Sequence, residues 1–338
     1  MVRVGAMSGV SPGVDHLQSP RLSDVLFDQN SLTFGNLVPL RFNVEAIEAA
    51  LVFSAGLTHF IAIIGPSGWG KSHILHAIQN RFRAEGREAY PAMSASKAVG
   101  DHSNLTFSSP LLLDDCQESV DGGRSRSMLR LTLETRVRTQ RPTILSFTGS
   151  KVTRQIRSLL PHPREWTVCV IDTPQPHERT LLIERMAEAD GLVLSSALVK
   201  ILAHEMYGNG RTIAGALKRL RLFGSNWEDN LLTVRACGIL NAFFSDNSSW
   251  DLKHRILRLI YDPRRNVDLG KQFPDLAAYI MLKVASLGEA EVARSLNVES
   301  AEAYFSASRF EIELGSNPSN MSILMKLVDD LVRILSKE

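Results

Sequence analysis

From residue 32 onward the apolar positions follow two rhythms. Residues 60–65 (FIAIIG), 110–116 (PLLLDDC), 142–148 (PTILSFT) and 167–173 (TVCVIDT) are short apolar runs bounded by Gly, Pro or acids. Such runs predict strands covered on both faces. Between them apolar residues recur every three or four positions, as in HILHAIQNRFRAEG at 73–86, which ends on Gly. That spacing and stop predict a helix. Strands alternating with helices predict an α/β unit with a parallel sheet over residues 31–174. After Pro174 the strands stop: ERTLLIERMAEADG, SALVKILAHEMYG and TIAGALKRLRLFG predict a small all-helical unit over 175–245. A polar break, SDNSSWD at 245–251, leads into a last helical region, 246–338. Residues 1–30, rich in Ser, Gly, Pro and Asp with weak periodicity, read as a flexible arm.

The 338 residues suffice for this layout without disulfides. The three cysteines, Cys116, Cys169 and Cys237, are widely spaced and form no metal-ligand pattern, so buried free thiols are expected. The start lacks the shape of a secretory signal, and no run approaches the roughly 18 apolar residues of a membrane span. A reducing cytoplasm is the expected compartment. The charge balance, 38 basic against 36 acidic residues, excludes a polybasic, histone-like protein. It leaves local nucleic-acid contact open.

The strongest chemical signal is GPSGWGKS, Gly65 to Ser72. It fits the phosphate-loop pattern G-x-x-x-x-G-K-[ST], follows a predicted strand and opens a predicted helix. A chance match in a chain of this length is expected about one per cent of the time. Gly65, Gly68 and Gly70 let backbone N–H groups converge on phosphate oxygens at a helix N-terminus. Lys71 reaches the β/γ-phosphates and Ser72 holds Mg²⁺. The run ending in Asp114 and Asp115 supplies the second half: one carboxylate for the Mg²⁺ shell, the other to position or polarise water. Trp69, inside the loop, is expected either to pack on a neighbouring element or to reach a ligand or partner.

These residues resemble the bacterial replication initiator family DnaA, AAA+ ATPases. GKSHILHAIQNRF looks like the family's GKTHLLHAI-x-N helix, with His73 and His76, and LLLDDCQ looks like LLIDDIQ. LTFGNLVPLRFNVEA matches the entry motif in spacing, with Asn43 near the nucleotide and Leu40 in place of a Gly. NGRTIAGALKRL at 209–220 resembles a lid helix whose matching arginine, Arg211, senses the γ-phosphate. Thr148 falls at the first polar sensor, with Ser146 nearby. The resemblance implies an AAA+ P-loop core, a helical lid, a C-terminal all-α helix-turn-helix domain, ATP with Mg²⁺, and origin DNA as partner. At the C-terminus, Val292, Leu296, Val298, Ala303 and Phe305 have helix-turn-helix spacing.

Several positions depart from the family. Its DNA-reading signature R-D-H-[ST]-T-V aligns with Glu299-Ser300-Ala301-Glu302-Ala303-Tyr304, two acids where bases stand. Residues 246–338 carry 12 basic and 14 acidic residues; within them Arg264 and Arg265 are the candidates for phosphate contact. Between Tyr90 and Asp114 the chain is too short for the initiator's helical insertion, as in the shorter regulatory relative Hda. The trans-acting arginine motif is LPHPREW, with Arg164 the first candidate and Arg154 and Arg157 behind it. From Gly122 to Arg164 ten basic residues face one acid. That stripe is either a nucleic-acid track or partner interface, or a solvated arginine-rich helix.

Two functions follow. One is an ATP-dependent initiator-type protein that hydrolyses ATP slowly, assembles through its AAA+ interface and engages origin DNA. The other is an Hda-like regulatory adaptor that controls the initiator or another replication protein through protein contacts. A third, weaker class is an IstB-like or DnaC-like ATPase serving a helicase or transposase.

Overall fold

A computed structural model describes residues 32–88, 91–100, 109–119, 123–244, 250–262 and 269–337. The expected N-terminal arm and the pair Arg264 and Arg265 lie outside the described residues. Five strands form one parallel sheet: β1 Phe60–Gly65, β2 Met93–Ser94, β3 Leu111–Asp114, β4 Thr143–Thr148 and β5 Thr167–Val170. Their order is β2-β3-β4-β1-β5. Each of the four sequence-predicted strands is present, and β1 is an interior strand, paired with β4 and β5.

All six residues of β1 are buried because helices cover both faces. Ile61 and Ile63 point to the side of α1 (Val44–Ser54) and α2 (Lys71–Ala84). Phe60, Ala62 and Ile64 point to the side of α3 (Gly123–Arg138) and α4 (Arg154–Leu159). The two-residue period of a strand thus divides one run between two cores. Cys116, Cys169 and Cys237 are free and buried, as their apolar neighbours predict.

The lid consists of α5 (Pro176–Ala189), α6 (Ser196–Glu205), α7 (Gly210–Phe223) and α8 (Asn230–Ile239). Its helix starts are written in the chain. Gln175 and Glu178 form a capping box with Pro176 at the first turn. Ser195, Asn209 and Asp229 each accept backbone N–H groups of the helix they open. Such caps are worth about 1 kcal/mol each. One expectation needs correction: strands do not stop at Pro174. Val193–Leu194 (β6) and Asn226–Trp227 (β7) pair in parallel beside α5 and α8. Two residues per strand are too few for any period to show.

The C-terminal part contains α9 (Leu252–Ile260), α10 (Leu276–Tyr279, continued by a π-helical turn through Val284), α11 (Glu289–Leu296), α12 (Ser300–Ser316) and α13 (Pro318–Leu335). Between α11 and α12 Asn297 adopts a left-handed conformation, φ 57°, and makes the tight turn that joins the two helices. Val292 and Ala303 are buried there and Leu296 and Val298 half-buried. Phe305 breaks the expected pattern. It is 61% exposed, and Phe310 takes the core position, packed against Phe273 and Tyr279.

α13 packs back on lid helices α6 and α8. Asn230 Nδ2 donates to Asp329 at 2.8 Å. The Lys337 ammonium pairs with the fully buried Glu205 carboxylate at 2.9 Å. A single apolar cluster runs from the α1–α2 face of the sheet through the lid into α13. No helix among the described residues is long and apolar enough to cross a membrane.

Candidate nucleotide-binding site

The site is built at the carboxyl ends of β1, β3 and β4. In an open parallel sheet those ends form the crevice where ligands bind. β1 ends at Gly65, and the loop 66–70 turns directly into α2. Gly68 and Gly70 have φ of 79° and 98°, values that suit glycine. Gly65 is required for space, since a Cβ there would lie 2.8 Å from Ile171 Cβ. Lys71 starts the helix and is buried. Its Nζ donates to Gly65 O and Pro66 O, both at 2.8 Å. Burial pulls its pKa down, while Asp114 and Asp115 act upward and Arg211 downward. Those three charges therefore stand within electrostatic reach of one ammonium.

Parallel register sets the acids. Leu113 faces Leu145, so Asp114 and Ser146 follow side by side. Ser146 Oγ donates to Asp114 Oδ1. Asp115 adopts φ 51°, and its N–H points to Asp114 Oδ1 at 3.1 Å and Ser146 Oγ at 3.2 Å. Gln117 joins the set: its Nε2 donates to Asp115 Oδ1 at 3.2 Å, and its Oε1 accepts from Thr148 N at 2.9 Å. Thr148 lies in register with Gly65, its side chain exposed at the strand end. Ser146 and Gln117 are the residues sequence reasoning undervalued. Ser146 was visible only as a neighbour of Thr148, and Gln117 only as a letter in LLLDDCQ. The register of two strands gives them work.

The lid closes against the loop. Asn209 caps α7 through Oδ1, which accepts from Arg211 N at 3.0 Å and Thr212 N at 3.4 Å. A Cβ on Gly68 would run into the Asn209 side chain, and one on Gly210 would lie 2.8 Å from Gly68 O. Trp69 is buried between the lid and the entry segment, 5.9 Å edge-on from the Phe42 ring. Of its two expected roles, packing on neighbouring elements is the one observed. Arg211 follows the cap on the first turn of α7, exposed.

Other expected residues are employed differently. Asn43 is buried and staples its own turn: Oδ1 accepts from Leu40 N at 2.8 Å and Nδ2 donates to Val38 O at 3.1 Å. His73 Nε2 donates to Thr33 O at 3.0 Å, and burial lowers its pKa, which favours the neutral ring. His73 thereby ties the entry segment to α2, while Asn43 fixes the turn within that segment. Ser72 is half-buried on the first turn of α2. Arg164 stands exposed on the short turn Pro163–Glu165, and its charge is not among those acting on Lys71.

The basic stripe is partly a structural device. Arg136 is buried and donates to Thr143 Oγ1, Ser109 O and Pro142 O at 2.8–2.9 Å. Arg126 donates to Ser158 Oγ at 2.6 Å, and Arg130 donates to Ser158 O, tying α3 to α4. Arg138 pairs with Glu134 at 3.0 Å.

Mg²⁺ suits the oxygen donors here. The residues that would hold it are Ser72 and Asp114, oxygen ligands to a hard cation. Among the described residues no three His, Cys, Asp or Glu side chains converge on one point.

No family model matches the chain. It is 25% identical over 276 residues to the chromosomal replication initiator protein DnaA of Dechloromonas aromatica, covering 76% of this chain and 56% of that protein. The chain thus spans little more than half the length of this curated relative. AMPPCP-bound DnaA from Aquifex aeolicus superposes with TM-score 0.51 at 18% identity, over 88% of this chain and 97% of that one. A replication initiator DnaA bound to AMPPCP and single-stranded DNA gives 0.51 at 17%, over 89% and 98%. The chain shares the α/β fold of these structures. In sequence it is similar to DnaA proteins over about three quarters of its length.

Proposed function

We propose that this chain is an ATP-binding switch of the DnaA type that acts in initiation of chromosomal replication. The observation that carries the proposal is the convergence of Lys71, Asp114, Asp115 and Arg211 from three separated segments on one loop of backbone N–H groups. Lys71 would leave the carbonyls of Gly65 and Pro66 for the β/γ-phosphates. Ser72 and Asp114 would hold Mg²⁺, which would neutralise charge on the phosphate oxygens when bound. Asp115, held by Gln117, would orient the attacking water, and Thr148 would report the γ-phosphate from β4. Arg211 would do so from the lid, and hydrolysis would release that contact. Arg164, exposed on its turn, would serve a neighbouring subunit's nucleotide as an arginine finger. Turnover is slow in this reading, a timer for assembly.

The relatives' names support a role in replication initiation, and a DnaA neighbour carries single-stranded DNA. Origin DNA is the partner this reading assigns. Duplex binding measured with origin boxes at several salt concentrations tests it; no sequence preference removes the initiator reading. The Hda-like adaptor reading then stands, and the acids at Glu299 and Glu302 favour it, because acids near phosphates weaken DNA binding.

Arg211→Ala tests the switch. ATP binding is expected to stay near that of the natural chain, while turnover and ATP-dependent assembly fall by about tenfold or more. Unchanged turnover and assembly would remove Arg211 from the sensor role.

A further inference from the structure

On α12 Ala303, Ala307, Phe310 and Leu314 are buried. At a helix's 100° per residue, Ala301, Phe305, Ser308 and Ile312 share a sector of roughly 60° on the opposite side. Phe305 is 61% exposed and Ile312 70%. An aromatic and a β-branched residue aimed straight into solvent are an interaction signature when they form a stripe.

The rim of the stripe is acidic. Glu302 and Glu313 are exposed along one flank, and Glu299 stands at the helix start. Arg309, the sole basic residue of α12, is held bidentately by Asp275 at 2.8 and 2.9 Å. On the other flank Lys283 pairs with Glu311 at 3.1 Å and lies over the Tyr304 ring. A DNA duplex approaching this face would meet acids and apolar rings, with its one arginine already engaged.

The complementary surface is on the AAA+ core. The outward side of α3 carries Leu131, 59% exposed, with Arg124 exposed two turns before it; Arg138, two turns after, is held by Glu134. Arg154 and Arg157 stand exposed on the adjoining α4. An apolar centre with a basic rim therefore faces outward from the same chain whose C-terminal helix presents an apolar centre with an acidic rim.

We infer that α12 is a self-association surface: the stripe Ala301–Phe305–Ile312 of one copy docks on the α3–α4 face of a second copy, with Glu302 opposite Arg124. The two patches are different surfaces, so the contact is heterologous. Repeated, it builds an open row of subunits unless the rotation closes a ring. It uses neither the phosphate loop, the paired acids nor Arg211, so it stands or falls separately from ATP binding by one chain; Arg154 and Arg157, the reserve arginine-finger candidates, lie on its rim.

Sedimentation velocity over a range of concentrations, with and without ATP and Mg²⁺, tests it on the whole chain. The natural chain is expected to associate with concentration, and less so at high salt. Phe305→Ser with Ile312→Ser is expected to weaken association by about tenfold or more while ATP binding is unchanged. Both residues face solvent, so the fold does not depend on them. Glu302→Lys and Arg124→Glu are each expected to weaken it severalfold, and the double exchange to restore it. A monomer at every concentration would overturn the inference, as would association that ignores the Phe305 and Ile312 changes. Failure of the charge exchange to rescue would do the same. Loss of duplex binding in place of self-association would assign the stripe to nucleic acid instead.

Discussion

Lys71→Ala is expected to bind ATP at least about a hundredfold more weakly in an equilibrium titration with a fluorescent analogue. Two charge-assisted hydrogen bonds disappear, each worth about 1.5–3 kcal/mol in such a setting. The geometry explains why no neighbour can substitute. The Lys71 ammonium is buried at the foot of the loop, 2.8 Å from two carbonyls that hold it in place. Arg211 is exposed and comes from the lid. Burial depresses the Lys71 pKa below its ordinary 10.5. The folded chain therefore binds fewer protons than the unfolded chain between the depressed value and 10.5. Stability from this group rises with pH through that window, and the desolvation cost is fully present below it. Phosphate oxygens would pull the pKa back up, so binding in that window should take up protons, measurable as buffer-dependent heat. Because alanine carries no such desolvation cost, the melting temperature of Lys71→Ala should stay within about 3 °C of the natural chain. Tight ATP binding by a folded Lys71→Ala chain would refute the site.

Gly238→Ala should be the most damaging single methyl group on the lid. Gly238 lies in α8, and a Cβ there would overlap the carbonyl oxygen of Ala285 and sit 2.7 Å from its carbon. Backbone cannot yield as a flexible side chain can. Stability is expected to fall by about 3 kcal/mol or more, a drop in melting temperature of roughly 6–12 °C. Gly215→Ala on α7 is the control. Its Cβ would meet the Phe243 ring at 3.4 Å, a flexible neighbour, and the change should stay under about 2 °C. Equal melting temperatures for the two variants would mean that α8 and the turn after α10 are not in contact in solution.

What was legible in the sequence is what chemistry keeps contiguous. GPSGWGKS carries loop, lysine and hydroxyl in eight consecutive residues, and LLLDDC carries strand and acids in six. Four strands were visible because burial on both faces makes each an unbroken apolar run. Other features depend on strands and helices meeting. Ser146 and Gln117 acquire partners only when β3 and β4 align, and Asn43 turns inward to its own loop. The stripe of ten basic residues was counted without directions. Arg136 points into the core to serve Thr143 and two carbonyls, so it contributes nothing to a surface field. Phe305 misled for the related reason that a turn's spacing fits two helical phases, and Phe310 occupies the inner one.

The seat of Asn209 and Gly210 on Gly68 bears on time rather than affinity. A nucleotide held by the loop as proposed would share a wall with the lid, and its departure would then be coupled to the lid's movement. In the proposed site, the residence time would depend on how often α7 lifts as well as on the phosphate contacts. A methyl group on Gly68, which collides with the Asn209 side chain, would prop that wall open. Because Gly68 also holds φ 79°, the same methyl group would strain the loop along with the lid contact.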